Sequence, residues 1–160
     1  MPKSPTEAEF DSTPRKKDVL RLWLRLLSCE RSIEQRMRSH LRENFEITLP
    51  QFEVLCELDH YGIPLVMSRL SELLKVTSSN ITGVIDRLER DGIVKRFRSS
   101  EDRRVQYIDM TAKGRSAFVK IAADNALWVS RAFTQLSDKE VKQLQRLLLK
   151  ARESAIEYLG

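Results

Sequence analysis

The chain has 160 residues, of which 41% are hydrophobic and 32% charged, and its formal net charge is +5. This length fits one domain with a buried core and is short for two. The composition is typical of a soluble, helix-rich globular protein and excludes fibrous and disordered classes. The positive net charge permits a polyanionic partner such as nucleic acid, but many soluble proteins are equally basic. Whether this chain binds a polyanion must therefore be judged from where its charges lie.

No apolar run approaches the roughly 18 residues that a membrane span needs, and the stretch MPKSPTEAEFDSTP lacks the hydrophobic segment of a signal peptide. We therefore expect a cytoplasmic protein without membrane contact. The chain has no Gly-rich phosphate loop and no nucleophile elbow, and its two histidines, His40 and His60, lack carboxylates at metal-ligand or triad spacing. This pattern argues against an enzyme, a metal site or a bound cofactor.

The N-terminal part of the chain predicts a tail and two helices. Residues 1–14 are polar and hold three of the five prolines, as in a flexible tail. Over residues 16–45 apolar side chains recur in two stripes at helical spacing, which predicts one long helix with two buried contacts. Thr48 and Gln51 are expected to cap a second helix, which Gly62 ends.

The next segment has the spacing of a helix-turn-helix. Ser68 is expected to cap a short helix, Lys75 and Val76 to form a tight turn, and Thr77 to cap another helix. Two short helices joined by a turn of this length form a helix-turn-helix.

The second of these helices has an outward face that is small, polar and partly cationic. An exposed mid-helix glycine costs roughly 0.5 to 1 kcal/mol relative to alanine, so exposure to solvent alone does not favour Gly83. Small hydrogen-bonding side chains let a helix enter a major groove and meet base edges. The alternative is a merely solvated face. With Ile81 at the core, the predicted DNA contacts on or beside the outward face are Ser78, Ser79, Asn80, Thr82, Gly83 and Arg87.

After Gly92 the segments IVKRFR and VQYIDM predict two strands joined by the polar loop SSEDRR. A helix-turn-helix followed by a β-hairpin is a winged helix, so the predicted fold is mainly α with a small β-hairpin wing. Arg103 and Arg104 would lie at or near the wing tip, where a guanidinium can contact phosphates or enter a narrow minor groove. Asp102 has a structural role in this prediction, because it can pair with a neighbouring arginine.

The C-terminal part predicts two helices. Thr111 is expected to cap the first, and Ser137 with Glu140 forms a capping box for the last. Apolar residues of the last helix alternate spacings of three and four, as in a coiled-coil seam. With the doubly apolar first helix this predicts a dimer; the alternative is packing of the seam within one chain. The seam residues are Val141, Leu144, Leu148, Ala151, Ala155 and Tyr158.

The wing resembles that of the MarR family of bacterial transcription regulators, whose signature is D-x-R, a strand, and L-T-x-x-G. Asp102, Arg104, Thr111 and Gly114 match it, and Met110 replaces the usual leucine. VTSSNITGVIDRLERDGIVKR is similar to the family's recognition helix and first wing strand. The resemblance implies a homodimer, intertwined through its first and last helices, that binds a near-palindromic DNA operator and usually represses transcription until a small molecule lowers its affinity.

The expected organisation is a flexible tail at residues 1–14 and a single MarR-type domain at residues 15–160. Within that domain, residues of about 48–111 would form the winged-helix DNA-binding lobe. Residues of about 16–45 and 112–160 would form the dimerisation helices.

The segment LRLWLRLLSCERSIEQRMRSHLRENFEITLPQFEVL is similar to MarR-type regulators of hydroxycinnamate and related aromatic-acid catabolism, some of which sense the acyl-CoA thioester. The resemblance implies an aromatic acid or its CoA thioester as effector, bound between the first helices and the DNA-binding lobe. An apolar wall and cationic partners would come from Trp23, Arg36, Arg38, His40 and Arg42. The alternative for these residues is a solvated helix face.

A redox sensor with a cysteine switch is the runner-up function. Cys29 and Cys56 lie in helical apolar patterns, where a small core hydrophobe is expected, and such thiols are inert. The pattern also argues against a disulfide framework.

Overall fold

The structure is a computed structural model that describes residues 14–100, 102 and 104–159, with the backbone alone at Ser78 and Leu159. The predicted tail, apart from Pro14, lies outside the described residues. The described residues divide into two compact units, of which the first ends at Leu49 and the second begins at Pro50. The elements are α1 (Pro14–Phe45), α2 (Leu49–Tyr61), β1 (Leu65–Val66), α3 (Met67–Leu74), α4 (Ser78–Arg90), β2 (Val94–Arg98), β3 (Gln106–Met110), α5 (Ala112–Ala132) and α6 (Asp138–Leu159).

The first unit is dominated by α1, a single helix of 32 residues. Leu41, near its C-terminal end, is fully buried. Five apolar residues near its N-terminal end are instead between 54% and 57% exposed: Val19, Leu20, Leu22, Trp23 and Leu24. One long helix is therefore confirmed, but the contact predicted for its N-terminal half is absent from the described part of a single chain.

The core of the second unit is built from buried residues of α2, α3, α4 and α5 and the inner face of the sheet. In α4 the residues at spacings of three and four, Ile81, Ile85 and Leu88, are buried. The sheet contributes Val94 and Ile108, both buried as well. Full burial of one aliphatic side chain contributes about 1.5–3 kcal/mol, so these contacts hold α4 in one rotation about its axis.

An aromatic contact ties α2 to α5 in the same core. The ring centroids of Phe52 and Phe118 lie 6.0 Å apart. Gly62 ends α2 as predicted: its φ is +64°, and its N–H donates to the carbonyl of Leu58.

The turn between α3 and α4 is held by backbone and hydroxyl hydrogen bonds. Lys75 has a left-handed conformation, with φ of +52°, and the Ser71 hydroxyl donates to the carbonyl of Val76 at 2.7 Å. The Thr77 hydroxyl accepts the N–H of Asn80 at 3.4 Å, which confirms Thr77 as the N-cap of α4.

The predicted cap at Ser68 is wrong. The N-cap of α3 lies two residues earlier, at Val66, which is extended and forms no side-chain hydrogen bond, so the helix begins at Met67. The cause is β1, whose residue Leu65 pairs with Ile108 of β3 and leads straight into the helix. The two paired residues are far apart in the chain, and local sequence signals do not reveal such a pairing.

The wing is an antiparallel sheet with strand order β1-β3-β2. The predicted hairpin is confirmed, with Val94 opposite Met110 and Phe97 opposite Tyr107, and β1 adds a third strand. The rings of Phe97 and Tyr107 stack with centroids 5.6 Å apart on the face opposite the core. The winged helix is therefore the observed fold.

The junction of the wing with α5 explains the T-x-x-G part of the signature. The Thr111 hydroxyl donates to the carbonyl of Gly92 at 2.7 Å and accepts the N–H of Gly114 at 3.0 Å. Gly92 has a φ of +71°, which favours glycine. At Gly114 an added Cβ would overlap the carbonyl oxygen of Ile93. The helix can approach the strand this closely because Gly114 has no side chain.

The last helix begins at the predicted capping box. The Ser137 N–H donates to a Glu140 carboxylate oxygen at 2.9 Å, and the Glu140 N–H donates to the Ser137 hydroxyl at 3.4 Å. The hydroxyl and backbone hydrogen bonds from Ser137 lower the pKa of Glu140. The seam beyond it stays largely open, since Leu144, Leu148 and Tyr158 are 39%, 42% and 89% exposed.

Within the described ranges, no helix is long and apolar enough to cross a membrane.

Replacing Gly114 by alanine is expected to lower the free energy of unfolding by about 1–3 kcal/mol, because overpacking forces the backbone apart. Urea denaturation followed by circular dichroism measures the change. Gly83→Ala is the matched control: an added Cβ there meets nothing within 4 Å, and the helix should gain about 0.5–1 kcal/mol. Equal unfolding midpoints for Gly114→Ala and the parent would contradict the close approach.

Candidate nucleic-acid interface

The outward side of α4 forms a continuous polar surface, as its apolar spacing predicts. The exposed residues are Ser79, Asn80, Thr82, Gly83, Asp86, Arg87 and Arg90. Ser78 lies in the first turn, and only its backbone is described. The shared face is confirmed, and contact of these residues with DNA stays a prediction.

Gly83 occupies the middle of this surface without an intramolecular reason to be glycine. Gly83 is exposed, its φ is not in the left-handed region, and an added Cβ would meet nothing within 4 Å. Alanine would make a better helix at this position. The absence of a side chain leaves room for a partner that approaches α4 from outside.

The N-terminal end of the same surface carries hydroxyl groups held by the helix cap. The hydroxyls of Thr77 and Ser79 lie 3.1 Å apart and share a hydrogen bond. Each hydroxyl has one donor and two acceptor positions, so this bond leaves capacity for an external partner. The first turn of α4 thus presents hydrogen-bonding groups at a defined place.

Sequence reasoning missed Arg96 of β2, which joins the wing to α4. Its guanidinium forms an ion pair with Asp86 and places Nε 3.1 Å from Glu89 Oε2, without hydrogen-bond alignment. The backbone N–H of Arg96 donates to the other Glu89 oxygen at 3.2 Å. The Arg96 side chain is only 21% exposed. Alternation along β2 places Arg96 on the same face as Val94, and this inward cation was the available signal.

The ion pairs with Arg96 change the charge that α4 presents. Asp86 and Glu89 are the carboxylates on or beside the outward face, and unneutralised they would repel phosphates. Each pair involves partly exposed carboxylates and contributes at most about 1 kcal/mol to stability. The main effect of Arg96 is therefore to neutralise and orient the acidic side of α4, which leaves Arg87 and Arg90 as exposed cations.

At the wing tip Asp102 shapes the loop by backbone contacts. Its carboxylate accepts the N–H of Arg104 at 2.9 Å, and its carbonyl accepts the N–H of Val105 at 3.0 Å. Asp102 thus contacts Arg104 through its backbone N–H, and pairing of Asp102 with an arginine side chain stays a prediction. The Arg104 side chain is exposed, whereas Arg103 lies outside the described residues.

The five predicted effector residues all belong to α1, and the helix does not gather them into one compact site. Trp23 precedes Arg36 by about 20 Å along the helix axis, at roughly 1.5 Å per residue. Arg36 and His40 share one side, and Arg38 and Arg42 lie about 160° away around the axis. These five residues therefore do not form one compact site on α1 alone, and their contact with an effector stays a prediction.

One of these cations already has a partner in α1. The Nε of Arg38 donates to a Glu34 carboxylate oxygen at 3.0 Å. This hydrogen bond and the charge of Arg38 lower the pKa of Glu34. His40 places Nδ1 3.2 Å from the side-chain amide of Asn44. Arg38 therefore fits the alternative of a solvated, locally paired helix face, whereas His40, on the other side of α1, is half-buried.

The two cysteines differ in their environments. Cys29 is exposed, so its predicted place in a core is wrong, because the N-terminal half of α1 is uncovered. Cys56 is half-buried, and burial together with Glu57, Glu53 and Asp59 raises the pKa of its thiol to about 11. Cys56 is therefore almost wholly protonated at neutral pH, which supports the prediction that it is inert. Among the described residues, no cluster of three His, Cys, Asp or Glu side chains could hold a metal ion.

The fold and the exposed face of α4 define a winged-helix protein of the kind that binds DNA. Residues 47–105 match the model of the MarR family. The chain is 37% identical over 118 residues to the uncharacterized HTH-type transcriptional regulator YkoM of Bacillus subtilis (strain 168), covering 74% of this chain and 75% of YkoM. It is 30% identical over 129 residues to the HTH-type transcriptional regulator MhqR of the same strain, covering 81% and 88%.

Solved structures give the same fold. The transcriptional regulator PA4135 superposes with a TM-score of 0.70 at 28% identity, covering 82% of this chain and 96% of that one. A mutant of MarR from E. coli, complexed with operator DNA, superposes with a TM-score of 0.72 at 23% identity, covering 84% and 95%. The chain belongs to the MarR family of DNA-binding transcriptional regulators. The prediction that it is not an enzyme is confirmed by this membership.

Replacing Arg96 by glutamine is expected to lower affinity for a selected DNA duplex about ten-fold, because Asp86 and Glu89 regain their negative charge beside the DNA. Stability should fall by no more than about 1–2 kcal/mol. Fluorescence anisotropy measures the affinity. Adding Asp86→Asn to Arg96→Gln should restore part of it, and a double variant no better than the single one would refute the neutralising role.

Proposed function

We propose that this protein is a ligand-responsive repressor that binds a palindromic operator as a homodimer and leaves it when a small molecule binds. The observation that carries the DNA-binding part is the exposed, polar face of α4, with Gly83 at its centre and Arg104 on the adjoining wing. An HTH recognition helix reads base edges in the major groove, while wing arginines contact the backbone or minor groove. Arg103 belongs to the same proposed wing contact.

The exposed apolar surface supports the homodimer. The first half of α1 and the seam of α6 expose more large apolar side chains than a small monomer tolerates. A groove of about 600 Å³ between α5 and α6 is lined largely by apolar side chains, among them Phe133, Leu136 and Leu144. A second copy of the chain offers the matching apolar helices, and two-fold symmetry then explains a palindromic operator.

Replacing Leu148 by glutamate is expected to convert the dimer into monomers, because a charge in the seam opposes apolar association. Light scattering at micromolar concentration measures the mass. The control is Lys150→Glu on the opposite side of α6, which should remain dimeric. If the parent protein is a monomer and still binds a palindrome with half-site centres about 10 bp apart, the dimer proposal is wrong.

Replacing Arg104 by alanine is expected to weaken operator binding about ten-fold or more and to reduce the slope of log affinity against log salt by about 1. Arg146→Ala on α6 changes the net charge equally and should leave the slope unchanged. Changes at Ser79, Asn80 or Thr82 should alter sequence preference more than non-specific affinity. Binding by Arg104→Ala equal to that of the parent across a salt series would exclude the wing contact.

The proposed effector is an aromatic carboxylic acid or its CoA thioester. The support is the likeness of residues 20–55 to regulators of aromatic-acid catabolism and the cations of α1. Because Arg38 is paired with Glu34, Arg36 and Arg42 are the better candidates for a carboxylate or phosphate. Trp23 offers an apolar surface. It lies so far from Arg36 that a ligand could contact both only if the ligand is extended or if one of the two residues comes from a second subunit.

Titration of the operator complex with p-coumarate, ferulate, benzoate and their CoA thioesters tests the effector class. Release from mostly bound to mostly free requires an affinity ratio between the two states of about 10³ to 10⁴. Calorimetry on Arg36→Ala and Arg42→Ala should show weaker binding, with Arg25→Ala as the control on the same helix. If none of these compounds binds or releases DNA, the aromatic-acid proposal fails while the DNA-binding function stands.

The alternative regulator is a redox sensor, and the exposure of Cys29 is the observation that favours it. Peroxide treatment would then abolish DNA binding by the parent and by Cys56→Ser, but not by Cys29→Ser. Equal resistance of all three proteins would remove this alternative.

A further inference from the structure

We propose that Gly83 receives the 5-methyl group of a thymine, so that one T·A pair in each half-site is selected by this position. The inference rests on the proposed entry of α4 into the major groove, and it adds which base feature meets the centre of the helix. No hydrogen-bonding side chain can read a base at Gly83, so any selection there comes from shape and polarity.

The first step is the shape of the helix surface around Gly83. Residues three and four positions apart are neighbours on a helix, about 5–6 Å between Cβ atoms. The neighbours of Gly83 on this criterion are Ser79, Asn80, Asp86 and Arg87, and all four are exposed. They surround a position where an added Cβ would meet nothing within 4 Å. The result is a shallow depression, about one methyl group deep, with a polar rim.

The second step is the polarity of that depression. Its floor is helix backbone, whose N–H and C=O groups are used in the hydrogen bonds of α4. An amino group or carbonyl oxygen of a base pressed against this floor would lose water without gaining a partner. Among the features that base pairs present in the major groove, the thymine methyl is apolar and needs no partner. It therefore fits the depression better than any other base edge.

The third step is register. Asn80 and Arg87 lie on the same side of the rim, and their amide and guanidinium groups can hydrogen-bond bases or phosphates on either side of the methyl. The ion pair with Arg96 compensates the charge of Asp86 on the other side of the rim, which reduces its repulsion of phosphates. These contacts would hold α4 at one height in the groove, so that the same base pair meets Gly83 in every complex.

The test compares a methyl group added to the protein with one removed from the DNA. A duplex is selected from a random library with the parent protein, and each thymine of one half-site is replaced in turn by deoxyuridine. For the parent, one such replacement should weaken binding about four-fold, the value of one buried methyl group. Gly83→Ala should bind the thymine duplex more weakly than the parent and prefer the deoxyuridine duplex, which reverses the parent's preference.

Thermal denaturation of Gly83→Ala separates misfolding from loss of the contact, since this variant should be at least as stable as the parent. The proposal is overturned if no deoxyuridine replacement weakens the parent, or if Gly83→Ala keeps the parent's preference for thymine. It is likewise overturned if Gly83→Ala weakens binding to all duplexes equally, because Gly83 would then only provide room for any base. Failure to select any duplex above non-specific binding would instead contradict DNA recognition itself.

Discussion

The rotation of α4 about its own axis is the constraint on which the interface depends, and hydrophobic burial sets it. Ile81, Ile85 and Leu88 are buried on one side, and each contributes about 1.5–3 kcal/mol. The helix-weakening Gly83 on the other side costs only about 0.5–1 kcal/mol. The free energy gained by burying these side chains is several times larger than the cost of Gly83 to the helix. The exposed residues therefore need not be strong helix formers, and they can suit a partner instead.

Two polar junctions fix the position of the wing relative to α4. Thr111 bridges the carbonyl of Gly92 and the N–H of Gly114, so the end of β3, the start of β2 and α5 meet at one hydroxyl. Arg96 connects β2 to the acidic side of α4. A recognition helix and a wing can contact one duplex together only if their separation is fixed, and these contacts between elements fix it.

The exposed apolar side chains of α1 and α6 link the fold to its proposed regulation. In the proposed dimer these helices are buried by a second copy, and the spacing between the two α4 helices then depends on how the copies pack. A ligand that favours one packing over another would change DNA affinity without touching α4. Regulation of this kind requires only that the ligand bind the two arrangements unequally.

Local signals in the sequence were enough to predict the helices, the hairpin, the caps at Thr77, Thr111 and Ser137, and the outward face of α4. Hydrophobic period and capping act within a few residues, so they can be detected from sequence alone. Tertiary structure alone decided that β1 displaces the cap from Ser68, that Arg96 neutralises Asp86, and that Cys29 is exposed while Cys56 is half-buried. Each of these features depends on contacts between different elements of the fold. Strand pairing, ion pairing and burial are set by which elements meet in space, and a residue's neighbours in the sequence do not reveal this.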